Sequence, residues 1–144
     1  MPYVKVKVHF VWSTKEREPF LATKEIRKIV WQHIKENGKS KGIYIDVGNG
    51  YKDHCHCLIS VGIDQTISKI MQLIKGESSF WINKQSFFNN KFEWHDEYFA
   101  VSVSESMMDR VRNYILNQEE HYKMKTYQEE YAELMLKYGF EKFG

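Results

Sequence analysis

The chain has 144 residues, of which 42% are hydrophobic, 28% charged and 15% aromatic, with a net charge of +2. That balance suits one soluble globular domain over residues 1–144 and excludes a disordered tail, and no run nears the roughly 20 apolar residues of a membrane span. So weak a positive charge also speaks against a broad electrostatic clamp for nucleic acid.

Residues 3–12 alternate, with Val4, Val6, Val8, Phe10 and Trp12 on one face and Lys5, Lys7 and His9 on the other, which predicts a half-buried strand. After a polar loop, Ile26, Ile29, Val30 and Ile34 recur at helical spacing, and Asn37-Gly38 reads as the helix stop. Residues 42–48 alternate again, with Ile43, Ile45 and Val47 inward and Tyr44 and Asp46 outward. Gly48-Asn49-Gly50 is a turn signal, and residues 54–61 make the third strand of a hairpin.

Ile67, Ile70, Met71, Ile74, Ser78 and Trp81 predict a second helix over residues 66–83. An aromatic connector leads to a fourth strand at 98–103, and a third helix comes next over 104–124. Thr126 and Glu129 have the spacing of a capping box that starts a last helix, with Gly139 as its stop. The order β-α-β-β-α-β, then two helices, reads as an α+β fold: a ferredoxin-like (RRM-like) antiparallel sheet with two helices on one face. Its other face is then expected to be open and polar, carrying Lys5, Lys7, His9, Tyr44, Asp46, His54 and His56.

His54 and His56 stand at i and i+2 of a strand, so both imidazoles leave one face and can chelate one metal ion. Two exposed histidines on an open sheet is the alternative, and the pair alone does not decide. Cys55 and Cys57 point the opposite way, which rules out a four-ligand zinc site and makes a poor disulfide frame, as expected in a reducing cytoplasmic setting. On the third helix Gln118 falls within the apolar stripe of Met108, Val111, Ile115 and Tyr122. Tyr114 precedes it by one turn on the same flank, and His121 continues that flank. An ordinary tyrosine at the core edge is the plain alternative for Tyr114. Two histidines, an amide oxygen and a tyrosine together suit attack of a phenolate on a metal-polarised phosphodiester.

These residues carry a resemblance. Asp53-His54-Cys55-His56-Cys57-Leu58-Ile59 resembles an HUH motif, and Val111-Arg112-Asn113-Tyr114-Ile115-Leu116-Asn117-Gln118 resembles the YxxxQ helix of the single-tyrosine transposases of the IS200/IS605 family. Val8 to Lys15, Ile74 to Ser79, Phe92-Glu93-Trp94, Tyr98 to Val103 and Asn117 to Tyr122 match in the same order. The resemblance implies a DNA transposase acting on single-stranded hairpins, with Tyr114 as nucleophile and a 5′-phosphotyrosine intermediate. It implies His54, His56 and Gln118 as ligands of Mg²⁺ or Mn²⁺, and a homodimer in which Tyr114 can act in trans. His9 and His121 are expected behind the ligands, and Lys5, Lys7, Lys75, Ser78 and Arg112 are expected DNA contacts. Two departures stand out: Cys55 and Cys57 replace aliphatic residues, and His95-Asp96-Glu97 is acidic where phosphate would approach. A non-catalytic nucleic-acid-binding relative and a related nuclease of repeat sequences are the alternative functions.

Overall fold

A computed structural model of the protein describes residues 2–138. Strands β1 (Val6–Ser13), β2 (Tyr44–Tyr51), β3 (His54–Val61) and β4 (Phe99–Ser102) form one antiparallel sheet in the order β2-β3-β1-β4. Helices α1 (Lys24–Ser40) and α2 (Ile67–Lys84) cover one face, completing the ferredoxin-like arrangement. Val8, Phe10 and Trp12 of β1 and Cys55, Cys57 and Ile59 of β3 meet Val30 and Ile34 of α1 and Ile70, Met71 and Ile74 of α2. Both cysteines are free, with their sulfurs 3.9 Å apart.

The second face is not open. Helices α3 (Met108–Leu116), α4 (Gln118–Tyr122) and α5 (Tyr127–Tyr138) lie over it; a smaller core of Leu58, Met108 and Ile115 joins α3 to the sheet, and Tyr127 of α5 stacks on His54. His54 and His56 are therefore fully buried, which excludes the exposed-histidine alternative. The capping box opens α5: Thr126 Oγ1 accepts from the Glu129 amide at 3.2 Å, and Glu129 Oε1 accepts from the Thr126 amide at 3.4 Å. Its expected stop, Gly139, lies outside the described residues. Among the described residues no helix is long and apolar enough to cross a membrane.

Several expectations are corrected. Helix α1 passes through Gly38 and ends with Gly42 at φ +74, where the Gly42 and Ile43 amides bond back to Lys39 and Gly38. Gly38 instead admits Ile45, whose Cδ1 would lie 3.0 Å from an added Cβ. Gly48-Asn49-Gly50 is not a turn; it lies within β2, and the hairpin turns at Lys52 and Asp53. A bulge between Ile45 and Val47 turns Val47 to the α3 side, against the expectation that both face α1. The predicted helix over 104–124 is broken at Asn117, which has φ −98 and ψ 24.

Gly50 explains why the glycine run extends the strand. A Cβ there would stand 2.1 Å from the His54 carbonyl oxygen and 2.9 Å from Cζ2 of Trp31. The clash is with backbone, which cannot rotate away. Gly50→Ala is expected to destabilise the fold by about 3 kcal/mol, read as a lowered midpoint in urea denaturation. An unchanged midpoint would show that the hairpin yields freely.

Candidate active site

The buried centre is built from both ends of the chain. Strand periodicity puts His54 and His56 on the α3 side of β3, with Val11 of β1 and Asn49 of β2 flanking His56. His54 Nδ1 donates to the Asp53 carboxylate at 2.8 Å, which leaves Nε2 as a bare lone pair. That lone pair faces Gln118 Oε1 at 3.3 Å. The amide cannot turn its nitrogen there, because Gln118 Nε2 donates to the Tyr114 carbonyl at 3.0 Å. Two acceptors thus face each other in a site closed to water.

His56 repeats the pattern. Its Nδ1 lies 2.9 Å from His9 Nε2, and its Nε2 lies 3.1 Å from Glu130 Oε1. That second contact is not aligned as a hydrogen bond, so His56 Nε2 and Glu130 Oε1 are both buried without a hydrogen-bond partner. Ligand atoms of His54, His56 and Glu130 all lie within 4.8 Å of one another. Two imidazole nitrogens with amide and carboxylate oxygens fit a divalent cation, and the orphaned pair is what such an ion would satisfy.

The electrostatics agree. Burial, aided by the neighbouring His56, pushes His9 down to about 3, so it is neutral. Burial also lowers His56, outweighing the opposing pull of Glu130. Burial by itself raises the Glu130 carboxyl, but the adjacent His56 imidazole and the Tyr114 donor hold it well below the carboxylate range. His9 and His56 are therefore neutral beside an ionised Glu130, protonation states that suit a cation.

Tyr114 projects from α3 into the same centre. Its hydroxyl donates to Glu130 Oε2, which also lies 3.0 Å from His121 Nε2. Burial, together with the charge of Glu130, pushes the phenol far above its ordinary value. Left alone it stays protonated, and Glu130 is the acceptor in place. The Tyr127 ring stacks on His54 at 4.6 Å between centroids, and Tyr122 lies 4.4 Å from it on another side. A cleft of about 720 Å³ reaches this group and is lined by His56, Tyr114 and Glu130 with the cations Arg110 and Lys125.

Of the expected site residues, the fold brings His54, His56, Gln118, Tyr114, His9 and His121 together within one chain. Glu130 was missed. Its signal is its place on α5, where Tyr127, Glu130, Tyr131 and Leu134 share one helical face, so a carboxylate interrupts an otherwise apolar stripe.

The expected DNA contacts fare differently. Ser78 is corrected: it is 1% exposed, donates to the Ile74 carbonyl at 2.6 Å and accepts from Trp94 Nε1 at 2.8 Å, so it braces the core. Arg112 grips the bulge at Asp46 through bonds of 2.8–3.2 Å and also pairs with Asp109 at 2.9 Å. Lys75 donates to the His95 and Asp96 carbonyls at 2.6 and 3.2 Å, and Lys7 to Ser60 Oγ at 2.5 Å. Lys5 stays at the surface, 3.9 Å from Glu105.

Comparison with known proteins bears on this geometry. A family model described as transposase, IS200-like, matches residues 2–118. A candidate transposase of Deinococcus radiodurans R1 superposes with a TM-score of 0.65 at 22% identity, over 82% of this chain and 95% of that one. A REP-associated tyrosine transposase, solved with a REP hairpin, superposes with a TM-score of 0.60 at 17% identity, over 84% of this chain and 72% of that one. No curated protein matches the chain. At such identities the two structures speak for the fold. The family match rests on the sequence itself: it runs from before β1 to Gln118, through His54, His56 and Tyr114. The chain belongs to the IS200-like transposase family.

Proposed function

We propose that this chain cuts and rejoins single-stranded DNA at hairpin-marked ends through a covalent link to Tyr114. The observation that carries the reading is the Tyr114 hydroxyl, hydrogen-bonded to Glu130 beside two buried and unsatisfied ligand atoms. Tyr114 Oη attacks phosphorus and its proton passes to Glu130 Oε2. The bond from phosphorus to the 3′ oxygen breaks, the 3′ oxygen takes up a proton, and a 5′-phosphotyrosine remains. Because the phosphoester energy is kept, the free 3′-hydroxyl can later reverse or redirect the joining. A divalent cation (Mg²⁺ or Mn²⁺) held by His54, His56, Gln118 and Glu130 would polarise the phosphodiester and offset the charge of the leaving oxygen. His9 backs His56, while Asp53 fixes the His54 tautomer.

Hairpin DNA is proposed as the substrate because a structural neighbour is bound to a REP hairpin. Tyr114 is proposed to act in cis, since its hydroxyl bonds to Glu130 of the same chain, which in turn lies 3.1 Å from His56. A pair of protomers would then hold two DNA ends without being needed to complete either site. Single-stranded oligonucleotides from the DNA flanking the gene, chosen where it can fold into hairpins, test the reading. With Mn²⁺ or Mg²⁺ a protein–DNA adduct that survives denaturation is expected, and EDTA should abolish it. Hairpin binding without an adduct in either metal would assign a binding protein instead.

A further inference from the structure

The break between α3 and α4 has a cause outside both helices. In an unbroken helix the carbonyls of Ile115 and Leu116 would receive the amides four residues on. Here both accept from one side chain of the sheet: Asn49 Nδ2 donates to Ile115 O at 3.0 Å and to Leu116 O at 3.2 Å. The usual device for ending a helix, a glycine just past its last turn, is missing, since Asn117 and Gln118 come after Leu116. Asn49 lies on β2 directly across from His56. The residue that ends the helix is thus registered to the strand that carries the histidines.

Just past the break, at the start of α4, stands the amide of Gln118. Its nitrogen is held on the Tyr114 carbonyl, and its oxygen is aimed at His54 Nε2. If α3 ran on as a regular helix, the carbonyls of Tyr114, Ile115 and Leu116 would be taken by backbone amides, and the Gln118 side chain would lose its anchor. We infer that Asn49 is a positioning residue for the candidate metal centre: by holding the last two carbonyls of α3 it sets where the helix ends and so where Gln118 presents its oxygen. The inference rests on the reading of Gln118 as a ligand. Neither glycine beside Asn49 can take over, having no side chain, and a leucine of similar size would fill its space without donating.

Calorimetric titration of Mn²⁺ into the whole chain, into Asn49→Leu, into Gln118→Ala and into the double variant tests this. Each single variant is expected to weaken Mn²⁺ binding about ten-fold, and the double variant no further than the weaker single one. A merely structural Asn49 would give independent losses that multiply in the double variant, and that result overturns the inference. So does unchanged affinity in Asn49→Leu when Gln118→Ala is weakened, an outcome that leaves the metal centre standing. Unchanged affinity in Gln118→Ala would remove the ligand reading and this inference with it. Should Asn49→Leu fail to fold, Asn49→Ala, which also lacks the amide, is expected to show the same pattern.

Discussion

Tyr114→Phe is expected to eliminate the protein–DNA adduct, with cleavage falling on the order of 10⁵-fold or more, while hairpin affinity stays within about two-fold. The exchange removes one oxygen, the only atom proposed to bond to phosphorus. The ring keeps its edge contacts with His9, His56 and His121 at centroid distances of 6.2, 5.6 and 5.2 Å. Glu130 loses a donor but keeps His121 at 3.0 Å, so the stability cost is about 1 kcal/mol. Denaturing gels with labelled hairpin read the adduct, and filter binding reads the affinity. An adduct that persists in Tyr114→Phe would move the nucleophile elsewhere.

His56→Ala should be nearly as severe, by a different route. It takes one nitrogen from the ligand set and leaves the buried Glu130 Oε1 facing a cavity. Loss of the electrostatic help a bound cation supplies is worth about 4 kcal/mol, or on the order of 10³-fold in cleavage. Hairpin binding should survive, since the side chain is fully buried and offers DNA no surface. A mixture with Tyr114→Phe then separates cis from trans. If Tyr114 serves its own chain, each protomer lacks one essential part and the mixture stays inactive. Adduct recovered only on mixing would show the tyrosine crossing between protomers.

Much of this was legible in the order of residues because local rules dominate there. Alternation along β1 and β3 marks which side chains face the hydrocarbon core, and the sheet keeps that division. His54, His56, Tyr114 and Gln118 were visible as polar residues at fixed spacing on regular elements. The misreadings came where one residue type has two uses. Glycine serves a turn or a close approach, and at Gly50 it is the approach to His54 and Trp31 that matters. Serine serves a surface or a buried bond, and at Ser78 it is the bond to Trp94. The helix break could not be read locally, because its partner Asn49 lies 66 residues from Ile115, and Glu130 showed only as an interruption of the α5 stripe.

Cys55 and Cys57 lie in the main core, on the far side of the strand from the histidines with which they alternate. β3 is therefore one ribbon with hydrocarbon beneath and ligands above. Cys57 packs close against Gly48, where an added Cβ would stand 3.3 Å from its sulfur. A larger side chain beneath the strand would press on the same backbone that carries both imidazoles.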